Sequence, residues 1–296
     1  MDIFKKNKHF YYIKTKNEVT DSKILERLKK IYTPPAWKNV CYSSNKHSHI
    51  QVHGIDVGGK KQYILSEKWV NNAKSKKYNR LRNFIKDLSS FKKKIKLPSN
   101  LSCFDKKTLI HLLFNLLIDT HIRVGNEKYA KHHSTYGLTT LRQKHLNYSS
   151  GYFTFSFIGK SDIKHSVIVP EEYTSYLKLL YKPNNRNSPI FLYNGTTISS
   201  EELNNYLKEN MGEYTCKDFR TYSANVVFIK TFLKKIKESK PSKINKIILE
   251  SIDESAKSLG NSRTICKKSY ISDNLINYCL KIQDNSVNYS SLLEEL

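Results

Sequence analysis

Two apolar periods divide this chain, and they constrain its fold more than any other feature. Ile50-Gln51-Val52-His53-Gly54-Ile55-Asp56 alternates like a strand, and Lys61-Gln62-Tyr63-Ile64-Leu65 reads as a second strand. Val57-Gly58-Gly59-Lys60 separates the two runs. A period of two across a Gly-Gly turn predicts an antiparallel hairpin. Farther along, Leu81, Phe84, Ile85, Leu88 and Phe91 recur three and four residues apart, as do Leu109, Leu112, Leu113, Leu116 and Leu117. That period predicts helices with one buried face. The chain therefore reads as α+β, with a small strand-bearing region followed by a larger, mostly helical one.

Punctuation sharpens this division. Ile24, Leu25, Leu28 and Ile31 predict a short helix from Ser22 that Asp21 or Ser22 can cap, and Thr33-Pro34-Pro35-Ala36-Trp37 ends it. The polar, basic stretch from Asn71 to Tyr78 reads as a linker, so the expected domains are 1–74 and 75–296. Pro98 and Ser99 stop the next helix, Asp105 can cap the one after, and Arg123 falls near that helix's end. Alternation over Leu138–Leu146, Tyr152–Ile158 and Lys164–Val169 predicts a three-stranded sheet. Helices are expected at about 170–182, 199–210, 216–237 and 243–259, with Gly260 as a left-handed cap. A final helix is expected to carry Tyr270.

Charge narrows the function. The chain has 296 residues, enough for a substantial core. Lys plus Arg number 51 and Asp plus Glu 26, so the formal net charge is 51 − 26 = +25. Such an excess favours a polyanionic partner, because cations that neutralise phosphates release condensed counterions. No apolar run of about 18 residues predicts a membrane span. Met1-Asp2-Ile3-Phe4-Lys5-Lys6 offers no apolar targeting core. The five cysteines (Cys41, Cys103, Cys216, Cys266, Cys279) lack Cys-x-x-Cys spacing, which fits a reducing compartment and argues against structural zinc. A soluble, intracellular protein is expected.

Lys217-Asp218-Phe219-Arg220-Thr221-Tyr222 places two cations one helical turn apart. Breaking a phosphodiester without a metal requires a nucleophile, cations for the charge developing on the non-bridging oxygens, and an acid for the departing sugar oxygen. Arginine suits the second task because its planar fork grips two oxygens. Lysine among cations suits the third. The other routes lack residues: there is no Walker glycine loop and no paired acidic motif for magnesium. His132-His133 are adjacent, so on a helix they point apart.

Arg123, Lys160, Lys217, Arg220 and Tyr270, taken in order, resemble the active-site series of type IB DNA topoisomerases, in the compact branch of poxviruses, giant viruses and some bacteria. The matching blocks are Pro34-Pro35-Ala36-Trp37, Gly59 to Tyr63, Ile122 to Tyr129, Tyr136 to Leu141, Phe157 to Lys160, Lys217 to Tyr222, and Leu259-Gly260-Asn261 through Ser269-Tyr270. The resemblance implies that Tyr270 is the nucleophile, that Arg123 and Arg220 clamp the phosphate with support from Lys217, and that Lys160 is the acid. Spacing alone would leave Lys160 a solvated turn residue. Where poxvirus members carry a histidine, nine residues before the nucleophile, this chain has Asn261, which donates a hydrogen bond but carries no charge. Lys60, Lys61, Gln62 and Tyr63 read equally as a solvated basic hairpin or as a major-groove reader, and Tyr136 joins them as a DNA contact.

The family further implies a monomer that closes as a C-shaped clamp on double-stranded DNA, works without cofactor, metal or ATP, and resides in a virion or viral factory or with the genome. Tyrosine recombinases share the catalytic lobe, but typically have His-x-x-Arg where this chain has Lys217-x-x-Arg220. A non-enzymatic DNA-binding protein is the other alternative, since charge alone would suffice for it.

Overall fold

A computed structural model of the chain describes residues 2–238, 243–282 and 288–296. The chain forms two compact units, divided between Lys77 and Tyr78. The first holds strands β1 (Ile3–Lys6) and β2 (His9–Tyr12), helix α1 (Ser22–Lys30), and strands β3 (Lys38–Tyr42), β4 (Ile50–Ile55) and β5 (Lys61–Leu65). All neighbours pair antiparallel, in the order β2-β1-β3-β4-β5. Asp21 caps α1 by accepting from the N–H groups of Lys23 and Ile24. Ile3, Phe10, Val19, Leu28, Tyr42 and Val52 form a small core between helix and sheet. Arg27 fastens α1 to the β3–β4 connection, donating to Gln51 and to the carbonyls of Ser43 and Ser44.

Helix α2 runs from Glu67 to Lys94, so the linker expected at Asn71–Tyr78 is instead helical. That stretch contains neither Gly nor Pro, and Lys, Asn and Ser can face water from a helix without ending it. Ser66 starts α2 early, its hydroxyl accepting from Trp69 N–H.

In the second unit, α3 (Lys106–Thr120) begins at Asp105, whose carboxylate accepts from both the N–H and the hydroxyl of Thr108. Helix α3 is buried on nearly every side. It ends at His121, in the left-handed conformation, after which an extended stretch carries Arg123 to the short helix α4 (Glu127–His133). The strand expected over Leu138–Leu146 is two single turns of 3-10 helix, and β6 covers only Leu146–Ser149. Here the backbone bonds to neighbouring loops: Leu138 N–H reaches Arg123 O, Gln143 N–H reaches Ser188 O, and Leu141 O accepts from Ile190. Leu138, Leu141 and Leu146 are buried by this wrapping, which mimics alternation.

Strands β6, β7 (Tyr152–Ile158) and β8 (Lys164–Ile168) form an antiparallel meander. Phe153, Phe155 and Phe157 all enter the core from alternate positions of β7. Helices α5 (Thr174–Leu180), α6 (Ser200–Met211), α7 (Cys216–Glu238), α8 (Ile244–Leu259), α9 (Arg263–Ser269) and α10 (Asp273–Leu280) follow. Helices α7 and α8 pack closely, and Ser255 Oγ donates to Ala224 O across their contact. Gly260 ends α8 with φ 59° and ψ 50°, its N–H returning to Ala256 and Lys257 carbonyls. Tyr270 lies at the C-terminal end of α9, outside α10, so the single final helix expected around it is two helices with the tyrosine between them. Ser272, at the start of α10, opens the second.

Phe114 is fully buried in the second unit, edge-on to Phe91 and near Phe219 and Tyr206. Phe114→Ala should lower stability by about 3–5 kcal/mol, read as a lower denaturant midpoint. A loss below about 1 kcal/mol would place this ring outside the core.

Candidate active site

Five separate elements supply the candidate residues: the exit from α3, the β7–β8 turn, the first turns of α7, the end of α8 and the end of α9. Helix α7 is anchored at its start by Asp218, whose carboxylate accepts from Thr215 N–H and pairs with Arg80 at 2.8 Å. Beside it Lys217 is exposed, whereas Arg220, three residues after Lys217, is buried.

Arg220 is tied to two helix ends. Its Nη1 donates to His121 O at 2.5 Å, and its Nη2 to Leu259 O at 2.9 Å. Both carbonyls belong to helix C-termini, where the partial charge is negative. No carboxylate pairs with the guanidinium among the described residues, and its Nε is buried without a partner. Burial, and then the charge of Arg123, bring Arg220 down to about 10, so it remains a cation at neutral pH. A buried cation of this kind, with a free donor, is a place for an anion.

Arg123 reaches the same spot from the α3 exit. Its Nη2 donates to Asn261 Oδ1 at 2.9 Å. The extended stretch is held by Leu138 and Thr139, whose N–H groups reach the carbonyls of Arg123 and Val124. Asn261 Nδ2 is buried and has no partner among the described residues, a second waiting donor. His121 and His165 both feel the Arg220 charge. Burial first, and then that charge, push His121 down to about 4, so this ring adds no positive charge at neutral pH.

Tyr270 is half-buried, with the Arg220 guanidinium carbon 5.7 Å from its ring centroid. Burial pushes the phenol up, but Arg220, Arg123 and Lys217 outweigh it and hold it below the ordinary tyrosine value. The structure thus brings Tyr270, Arg220, Arg123, Asn261 and Lys217 to one electropositive spot. Lys160 lies exposed on the β7–β8 turn, where Gly159 N–H reaches Ile163 O at 2.8 Å.

The other expected DNA contacts are dispersed. Lys60, Lys61 and Tyr63 are exposed on the β4–β5 hairpin of the first unit. Gln62 is half-buried, its amide donating to Asp56 at 2.7 Å, so in this state it is engaged within the hairpin. Tyr136 packs against His145 at 4.3 Å, and its N–H holds Ile158 O beside the Gly159–Lys160 turn.

One important residue was not singled out from the sequence. Asn225, fully buried on α7, donates to Tyr270 O at 2.8 Å, while its Oδ1 accepts from Ser272 N–H. It fixes the main chain on both sides of the nucleophile candidate. An amide between Ala224 and Phe228 on an apolar helix face was the available signal.

The Tyr270 phenol should ionise below the usual tyrosine range in the folded protein, seen by NMR of ring-labelled tyrosine and assigned with Tyr270→Phe. Arg220→Gln should move the midpoint up; an unmoved midpoint would contradict the coupling. Because the folded value lies below the unfolded one, this ionisation stabilises the fold fully only above the unfolded pKa. The contribution fades as pH falls through the folded pKa.

The chain is similar in sequence to known proteins. Residues 66–296 match the family described as eukaryotic DNA topoisomerase I, catalytic core, and residues 9–56 match bacterial DNA topoisomerase IB, N-terminal domain. DNA topoisomerase 1B of Acanthamoeba polyphaga mimivirus is 33% identical over 294 residues, covering 95% of this chain and 86% of the relative. DNA topoisomerase 1B of vaccinia virus (strain Copenhagen) is 29% identical over 230 residues, covering 75% and 70%. With both regions matched in order, the chain belongs to the type IB DNA topoisomerases.

Proposed function

We propose that this protein relaxes positive and negative supercoils in double-stranded DNA by cutting and resealing one strand through Tyr270. The observation that carries the assignment is the buried Arg220, without a carboxylate partner and set against the Tyr270 ring. A scissile phosphate supplies the missing anion. Its non-bridging oxygens would accept from Arg220, Arg123 and Asn261 Nδ2, with Lys217 adding charge.

In cleavage, Tyr270 Oη bonds to phosphorus and the P–O5′ bond breaks. The phenolic proton passes to solvent, and Lys160 gives a proton to the departing O5′. The products are a 3′-phosphotyrosyl protein and a free 5′-hydroxyl strand. Rotation of that strand releases supercoils. Resealing is the same step reversed: O5′ attacks phosphorus, Lys160 recovers its proton, and the Tyr270–phosphorus bond breaks. Because the ester conserves the bond energy, no ATP enters the cycle, and because Arg220, Arg123 and Lys217 supply the positive charge, the reaction needs no metal.

In the DNA-bound protein the two units close as a C-shaped clamp, and a single copy suffices for the reaction. Lys60, Lys61 and Tyr63 meet the groove and backbone, while Gln62 reads a base edge only after leaving Asp56. No helix among the described residues is long and apolar enough to cross a membrane. The viral relatives fit action in a virion or viral factory.

Incubation with a supercoiled plasmid in excess chelator, without ATP, should yield relaxed circles. Tyr270→Phe should bind DNA but relax nothing, and Arg220→Ala should slow cleavage about 10²–10³-fold. Relaxation that needs magnesium or ATP, or that survives in Tyr270→Phe, contradicts the assignment. Binding should fall linearly in log–log form with salt, with a slope near −0.9 for each phosphate neutralised.

A further inference from the structure

The β7–β8 turn and the end of α8 approach each other across one imidazole. His165 pairs with Phe157 on the hairpin and stacks flat on its ring, centroids 4.9 Å and planes 10° apart. The same ring occupies the space beside two glycines. A Cβ on Gly159 would lie 2.7 Å from the ring's Cδ2 and Nε2, and a Cβ on Gly260 would lie 2.3 Å from its Cε1. Neither position can carry a side chain while the imidazole is there.

Gly159 makes the point most clearly. Its φ of −96° suits any residue, so the backbone does not demand glycine; the ring does. Gly159 precedes Lys160, and Gly260 precedes Asn261. Lys160 itself is exposed on a turn whose Ser161 and Asp162 have φ of 63° and 58°. Its placement therefore depends on what holds the base of that turn. Burial, and then the charges of Arg123 and Arg220, push the His165 pKa down, which favours a neutral spacer beside the clamp over an added cation.

We propose that His165 is the positioning residue for Lys160: its imidazole, wedged between Gly159 and Gly260, sets the acid's turn against the loop that carries Asn261. This rests on Lys160 acting as the acid, as described under Proposed function. A misplacement of about 1 Å at a reacting group can cost about 10²-fold in rate.

The test compares two DNA substrates under single-turnover conditions, one ordinary and one with sulfur replacing the bridging 5′-oxygen. A thiolate departs without a proton, so the sulfur substrate bypasses the acid. His165→Ala should cleave the ordinary substrate about 10- to 100-fold slower, yet cleave the sulfur substrate at nearly the unaltered protein's rate. Lys160→Ala should show the same pattern more strongly. If sulfur does not rescue Lys160→Ala, the acid assignment fails and the proposal falls with it. If sulfur rescues Lys160→Ala while His165→Ala is slow on both substrates, or on neither, His165 does not act through Lys160. Gly159→Ala guards against a folding defect in His165→Ala. It keeps the imidazole but pushes it aside, and it should show the same sulfur-selective rescue. Unaltered cleavage of the ordinary substrate by Gly159→Ala would overturn the wedge.

Discussion

Arg220 lies buried with its charge directed at two main-chain carbonyls and, among the described residues, at no carboxylate. Helix ends offer only partial negative charge, so the pairing is incomplete. The carbonyls of His121 and Leu259 nonetheless fix the guanidinium between α3 and α8. An acidic partner there would have stabilised the resting protein and blocked the site. Without one, the strongest compensation available to Arg220 is a phosphate brought from outside. Arg123 and Asn261 add to the same demand, because Arg123 bonds to the asparagine's oxygen and leaves its amide donor unpaired.

Tyr270, the proposed nucleophile, is held through the main chain on both sides of it. Asn225 grips Tyr270 O and Ser272 N–H from inside α7, and Tyr78 donates to Ile271 O from α2. The phenol, half-buried beneath a guanidinium, is drawn toward ionisation by the same cations that are proposed to neutralise the phosphate. In the proposed reaction, phosphate binding and activation of the attacking oxygen thus come from one set of charges. Lys160 is exposed on the β7–β8 turn, and the acid role proposed for it is to meet the opposite, departing oxygen.

Much of this was legible in the chain. Asp105, Asp21 and Gly260 cap the helices their spacing predicts, and the Gly58-Gly59 turn joins the two strands expected on either side of it. Local chemistry decides such features, so sequence suffices. Asn71–Tyr78 misled because polarity alone does not break a helix; Ser66 starts one upstream and nothing stops it. Leu138–Leu146 misled because three buried leucines in a wrapped loop imitate a strand. The gathering of Arg123, Arg220 and Tyr270 from distant stretches came from family resemblance, since their periodicity says nothing of proximity. Asn225 and His165 were missed because their roles exist only across tertiary contacts.

The most direct measurement is to identify which residue carries the DNA. The protein is trapped on a nicking substrate that cannot be resealed, digested, and the nucleotide-bearing peptide sequenced by mass spectrometry. The account predicts a phosphodiester on the Tyr270 oxygen, joined to the 3′ end of the broken strand. A bond to any other of the 20 tyrosines, or to the 5′ end, would contradict it.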